Sequence, residues 1–195
     1  HRVAELDASR VARIELRIEP LTTRDPRPTL EKGSADVAVG FFPDVTRVLA
    51  ATGTHSDFLL NGLYECEYVC VMRHGHPLSR TAALTLDDYC AAQHVRVNFT
   101  ERPLSFVDEA LALLQRSRRV RLTVNHFATA ARVVHQSDLL GVFPRSYVAA
   151  SGLALTVRPI PCPLPRIDVA MLWHRRFERD PAHRWLRGIV SRVAH

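Results

Sequence analysis

Three times between residues 95 and 150, a short apolar run gives way to a helical pattern. The runs are residues 95–99, 121–124 and 139–143, and the helical patterns are 103–118, 128–135 and 145–150. Such alternation leaves few architectures open, because parallel strands need a crossover long enough to return the chain, and a helix supplies it. In PLSFVDEALALLQRSR, residues Val107, Ala110, Leu111 and Leu114 form an apolar stripe at helical spacing. Ser105, with Asp108 three residues on, marks that helix's start, although Asp is a weaker partner there than Glu.

The first part of the chain reads in the same way. RIELRIE (13–19) alternates apolar and charged residues, so Ile14, Leu16 and Ile18 share one face of a strand. A short helix after Pro28, a stop at Gly33 and an apolar run at 37–39 complete a β-α-β unit. Residues 3–9 resemble the end of a helix, so a preceding first strand is expected upstream. A β-run at 63–72 ends in a turn with Gly75 and Pro77, and a short helix follows at 86–92. Two β-runs joined by a proline-rich link lead to a closing amphipathic helix, with Asp180 as its cap and Pro181 at its first position.

The fold class expected is α/β, with two lobes joined by a hinge. The chain would leave lobe one near Ala91 and return near Ser151, so that 1–91 and 151–195 form one lobe and 92–150 the other. Ligands of open α/β sheets bind beyond the carboxyl ends of the strands. Asn98, Phe99, Asn125, His126 and Phe127 lie at such ends.

The 195 residues, 47% hydrophobic and 24% charged, suit a soluble globular protein with a sizeable core. No apolar run reaches membrane-spanning length and no signal peptide is visible. The net charge of +6 comes mainly from arginine, with local runs RSRRVR (116–121) and HRRFER (174–179) that read as solvated surface. Four cysteines, Cys66, Cys70, Cys90 and Cys162, form no C-x-x-C pair. On one extended run Cys66 and Cys70 would stand about 13 Å apart, too far for a bond. Reduced thiols in a cytoplasmic protein are the simplest reading. His74 and His76 are two apart, but they lack a nearby third metal ligand. No G-x-S-x-G elbow, Walker loop or G-x-G-x-x-G is present, so no enzyme activity, cofactor or metal is expected.

The segments EKGSADVAVG, VCVMRHGHPL, LLGVFPRSYV and MLWHRRFERDPAHRWLR, in this order, resemble the effector-binding domain of LysR-type transcriptional regulators. The last is similar to the ending of the branch with the nodulation and aromatic-degradation regulators. The resemblance implies two Rossmann-like subdomains of the type 2 periplasmic-binding-protein kind, around a cleft that takes a small organic effector. It implies a homodimer or homotetramer in which the helix at 110–119 serves as one packing face. It also implies an upstream winged helix-turn-helix through which alone DNA is bound, RNA polymerase as a further partner, and no contact with membrane. The alternative from another class is the solute-binding protein of a transporter, which has the same lobes.

The resemblance also places His126 in the cleft, and the physics agrees. A helix start offers free N–H groups and partial positive charge to an anion. An imidazole there can donate to a carboxylate or phenol, while Phe127 adds apolar contact. Asn98, Phe99 and Thr100 end the first strand of lobe two. Ser105 starts the next helix, and Arg102 on the loop between can pair with a carboxylate. In lobe one, Phe41 and Phe42 wall a pocket or cap the core. Trp173, near the end of a late strand, is a further candidate contact, with core or hinge packing its competing role.

Overall fold

The computed structural model describes residues 15–53, 56–98 and 104–194. They divide into two compact units: residues 1–64 with 168–195, and residues 65–167. The crossings therefore fall at 64/65 and 167/168. Residues 65–91 and 151–167, expected in lobe one, belong to unit two.

Unit one is organised by the run IDVAMLWH, which forms β8 (Ile167–His174) at the centre of a three-stranded sheet. On one side lies β1 (Val37–Phe41), paired antiparallel from Val37↔Trp173 to Phe41↔Val169, and on the other β2 (Phe58–Cys66). Side chains alternate across a strand, so β8 feeds two cores. Leu172 joins Leu30, Phe42 and Val45; Met171 and Trp173 join Leu63, with Val190 and Ala194 packed against them. Both faces are covered, which is why β8 reads as nearly continuous apolar sequence. Leu30 comes from α1 (Arg27–Glu31), Val45 from α2 (Pro43–Thr52) and Val190 from α7 (Pro181–Val193). Helix α1 stops as expected: Gly33 takes φ +73°, the left-handed conformation that glycine adopts without strain. Asp180 caps α7 by accepting the His183 N–H at 2.7 Å.

RIELRIE behaves differently from its pattern. Residues 15–20 form no strand, and Leu16 and Ile18 are exposed. Alternation predicts a buried face only where a neighbour covers it. The suggested helix at 3–9 lies outside the described residues. Helix α2 had no counterpart in the sequence reading.

In unit two, β3 (Tyr68–Arg73) lies antiparallel between β6 (Gly141–Pro144) and β7 (Leu155–Arg158). A parallel pair, β4 (Gln93–Val97) and β5 (Arg119–Val124), joins this sheet through a bridge from His94 to Leu140. Helices α3 (Leu86–Ala91), α4 (Phe106–Leu113), α5 (Phe127–His135) and α6 (Arg145–Ala150) supply the cover. Alternation along β3 again makes two cores. Cys70 and Met72 pack with Tyr89, Val107 and Leu111; Val69 and Val71 pack with Ala130, Val134 and Phe143. The β-run expected at 63–72 is two strands, broken at Glu67. Cys66 ends one and Cys70 sits in the other, so they do not share a strand, and all four cysteines are free.

Gly141 begins β6 against the second core. A Cβ there would lie 2.8 Å from the Phe143 ring and 2.9 Å from the Val134 side chain. Both neighbours are fully buried and cannot step aside cheaply. Gly141→Ala is expected to destabilise the domain by about 1–3 kcal/mol, the usual cost of overpacking. A urea midpoint equal to that of the parent would refute this.

Candidate functional site

Helices follow β4, β5 and β6, so their carboxyl ends form one edge of unit two. Val97 of β4 pairs with Val124 of β5, and the next N–H, that of Asn98, donates to the Val124 carbonyl at 2.8 Å. Asn98 and Asn125 therefore leave the sheet side by side. His126 is the N-cap residue of α5, with an extended backbone (φ −136°, ψ 137°). Its side chain makes no capping hydrogen bond and is exposed. Phe127 opens the helix and leans inward, 5.8 Å from the Phe143 ring and 5.4 Å from the Tyr147 ring. The helix is anchored behind it by buried Ala130, Ala131 and Val134.

This edge can hold an anion. The first turn of α5 has no acidic residue, and Arg132 and His135 occupy its last turn. No side chain caps the N–H groups at its start, which lie beside an imidazole that can donate or accept. Phe127 provides an apolar wall.

The other proposed contacts are distributed differently. Phe99, Thr100 and Arg102 lie outside the described residues. Ser105 caps α4 in a complete capping box: Asp108 N–H donates to its hydroxyl at 3.3 Å, and its own N–H donates to the Asp108 carboxylate at 3.0 Å. Its hydroxyl also donates to that carboxylate at 2.7 Å and accepts from Arg118 at 3.1 Å, so it is committed within the protein. In unit one, Phe41 and Trp173 sit at opposite ends of the β1–β8 ladder, four residue steps and about 14 Å apart. Trp173 is 8% exposed; its indole N–H donates to Glu178 at 2.9 Å, and the Arg187 guanidinium lies over its ring at 4.6 Å. Phe42, at the start of α2, is core.

His76 is a turn device. Its Nδ1 accepts the Leu78 N–H at 3.1 Å, which leaves Nε2–H to donate to the Asp138 carbonyl at 3.2 Å. Both nitrogens are occupied. Among the described residues, no three His, Cys, Asp or Glu side chains are grouped to hold a metal ion.

A buried polar cluster behind α4 had no signal in the sequence. Arg118, read as part of a solvated run, has a side chain only 3% exposed. It donates to Asp108 at 2.7 Å, to the Tyr89 hydroxyl at 3.3 Å and to Ser105. Burial pushes the Asp108 carboxyl up, but the hydrogen bond and charge of Arg118 and the bonds from Ser105 outweigh it and hold the group below the usual carboxylate range. Burial pushes the Cys70 thiol up to about 12, so that cysteine is inert. Arg116 in the same run does stay at the surface, paired with Asp87.

With this geometry in hand, comparison with known proteins identifies the family. The family described as "LysR substrate binding domain" matches residues 8–194, and the chain belongs to it. It is 31% identical over 163 residues to the HTH-type transcriptional activator NahR of Pseudomonas putida, covering 83% of this chain and 51% of that protein. The chain thus spans about half the length of the curated relatives it matches. Its fold is similar to that of the probable transcriptional regulator PA0477 from Pseudomonas aeruginosa, with a TM-score of 0.68 and 23% identity over 88% of this chain and 54% of that one. It is also similar to the effector-binding domain of QuiR, solved in complex with shikimate, with a TM-score of 0.65 and 17% identity over 89% of this chain and 78% of that one. The type 2 periplasmic-binding-protein-like α/β class follows, and the transporter alternative falls away because the relatives are regulators. No described helix is long and apolar enough to cross a membrane.

Proposed function

We propose that this domain senses a small organic acid at the strand-end edge of unit two and thereby regulates transcription by the longer protein to which it belongs. The observation that carries this is the start of α5, which no side chain caps, with exposed His126 and half-buried Phe127 beside Asn98 and Asn125. The carboxylate takes the α5 N–H groups and a hydrogen bond from His126, and an aromatic or other apolar body rests on Phe127. That QuiR's domain of the same fold holds shikimate supports a small-molecule reading. Binding selects one conformation of a homo-oligomer, whose DNA contacts are made by a helix-turn-helix outside this domain and whose output reaches RNA polymerase.

A thermal-shift panel of aromatic and aliphatic carboxylates tests this, since a ligand at 100 times its Kd adds about 2.7 kcal/mol of stability. For the best acid, calorimetry of His126→Ala is expected to show about tenfold weaker binding, or about 1.4 kcal/mol. Unchanged affinity removes His126 from the site.

A further inference from the structure

Where β6 ends and α6 begins, unit two also contains a cavity of about 810 Å³, within the size range of sites for small organic ligands. It is lined by the segment that opens the unit, Glu65 to Val69, by α6, and by the link from Pro159 to Arg166. None of the proposed effector contacts lines it. Its apolar wall includes Ala149, Ile160 and Leu164, and its polar groups include two ion pairs, Arg145 with Glu67 and Arg166 with Glu65.

Those pairs decide the ligand's chemistry. Their charges cancel, so the lining does not select an anion as an unpaired arginine would. Each guanidinium has five N–H donors. Glu67 takes the Nε–H of Arg145 and Glu65 takes one Nη1–H of Arg166, which leaves donors on both. Donors without net charge, next to an apolar wall, suit a neutral acceptor.

We infer that this cavity is a second ligand site, for an uncharged, mainly apolar carbonyl compound such as an ester, lactone or ketone. The compound's carbonyl oxygen accepts from Arg145 or Arg166, and its body lies on Ile160 and Leu164. Ala149 lies on α6 and is exposed, so a larger side chain there fills the cavity without entering the core.

Ethyl benzoate and benzoate, an ester and its parent acid, make the test. Ethyl benzoate is expected to shift the Ile160 and Leu164 methyl resonances saturably in the full 195-residue domain. Ala149→Trp is expected to weaken that binding at least tenfold, and His126→Ala to leave it unchanged. Absence of saturable methyl shifts up to the solubility limit overturns the proposal, and so does an unchanged affinity in a folded Ala149→Trp. If the ester's binding is lost in His126→Ala, both probes use the His126 site, and the cavity proposal falls while the effector reading stands. If the acid does not bind but the ester does, the effector reading fails for that acid and the cavity proposal stands.

Discussion

Arg118→Ala is expected to cost about 3–5 kcal/mol of folding stability, because it leaves the Asp108 carboxylate buried without its main partner. The Arg118 and Asp108 side chains are only 3% and 11% exposed. Arg118 serves three partners at once, Asp108, Tyr89 and Ser105. Arg96 on β4, 3.7 Å from the other Asp108 oxygen, is too far to take over the hydrogen bond. Arg118→Lys should recover only part of the loss, since an ammonium cannot reproduce the planar fork that reaches two helices at once. The internal control is Arg116→Ala, two residues away. Its pair with Asp87 is 38% and 82% exposed, and such surface pairs add little to stability. Urea unfolding of both variants decides the matter. Equal losses would show that the buried cluster is no more stabilising than the surface pair.

The contrast between these two arginines shows what could be read from the chain. Local devices were legible because their partners lie within one turn: the Ser105–Asp108 box, Asp180 before Pro181, and the stop at Gly33. The alternation after residue 95 was legible because strand and helix have different periods. It also located most of the candidate edge, since parallel strands in register bring Asn98 next to Asn125. What escaped depends on contacts between distant segments. The fate of Arg118 is set by Tyr89 on α3 and Asp108 on α4, and nothing in RSRRVR separates it from Arg116. The break at Glu67 is not distinguished by the pattern, because the residues on both sides suit strand. The separation of Phe41 from Trp173 follows from the antiparallel register of β1 on β8, which no local pattern encodes.

Acid should destabilise the domain through His94 before it titrates Asp108. The His94 ring is fully buried, in edge contact with Tyr89 at 4.5 Å. Its Nε2 lies 2.7 Å from the Tyr89 carbonyl, which can only accept, so the neutral ring carries its proton there. Nδ1 is buried and has no partner among the described residues. A second proton would go to that atom. Burial opposes it most; the Tyr89 carbonyl favours the cation, Arg118 disfavours it and Asp108 favours it, and the result is lowered to about 4 from the usual 6.5. The unfolded chain therefore binds this proton from about pH 6.5 downward, while the folded state resists until about pH 4. Stability contributed by neutral His94 is fully present above pH 6.5 and is lost as pH falls toward 4, by about 3 kcal/mol in all. Asp108 has a lowered value, so its contribution survives this window and disappears only under stronger acid. Urea unfolding from pH 7 to pH 4 should show the decline. In His94→Gln, which keeps an N–H for the Tyr89 carbonyl, a constant loss is expected with most of that slope removed. The other nine histidines are the same in both proteins and cancel in the difference. If His94→Gln keeps the full slope, the acid sensitivity arises elsewhere, and the bare Nδ1 of His94 is not its source.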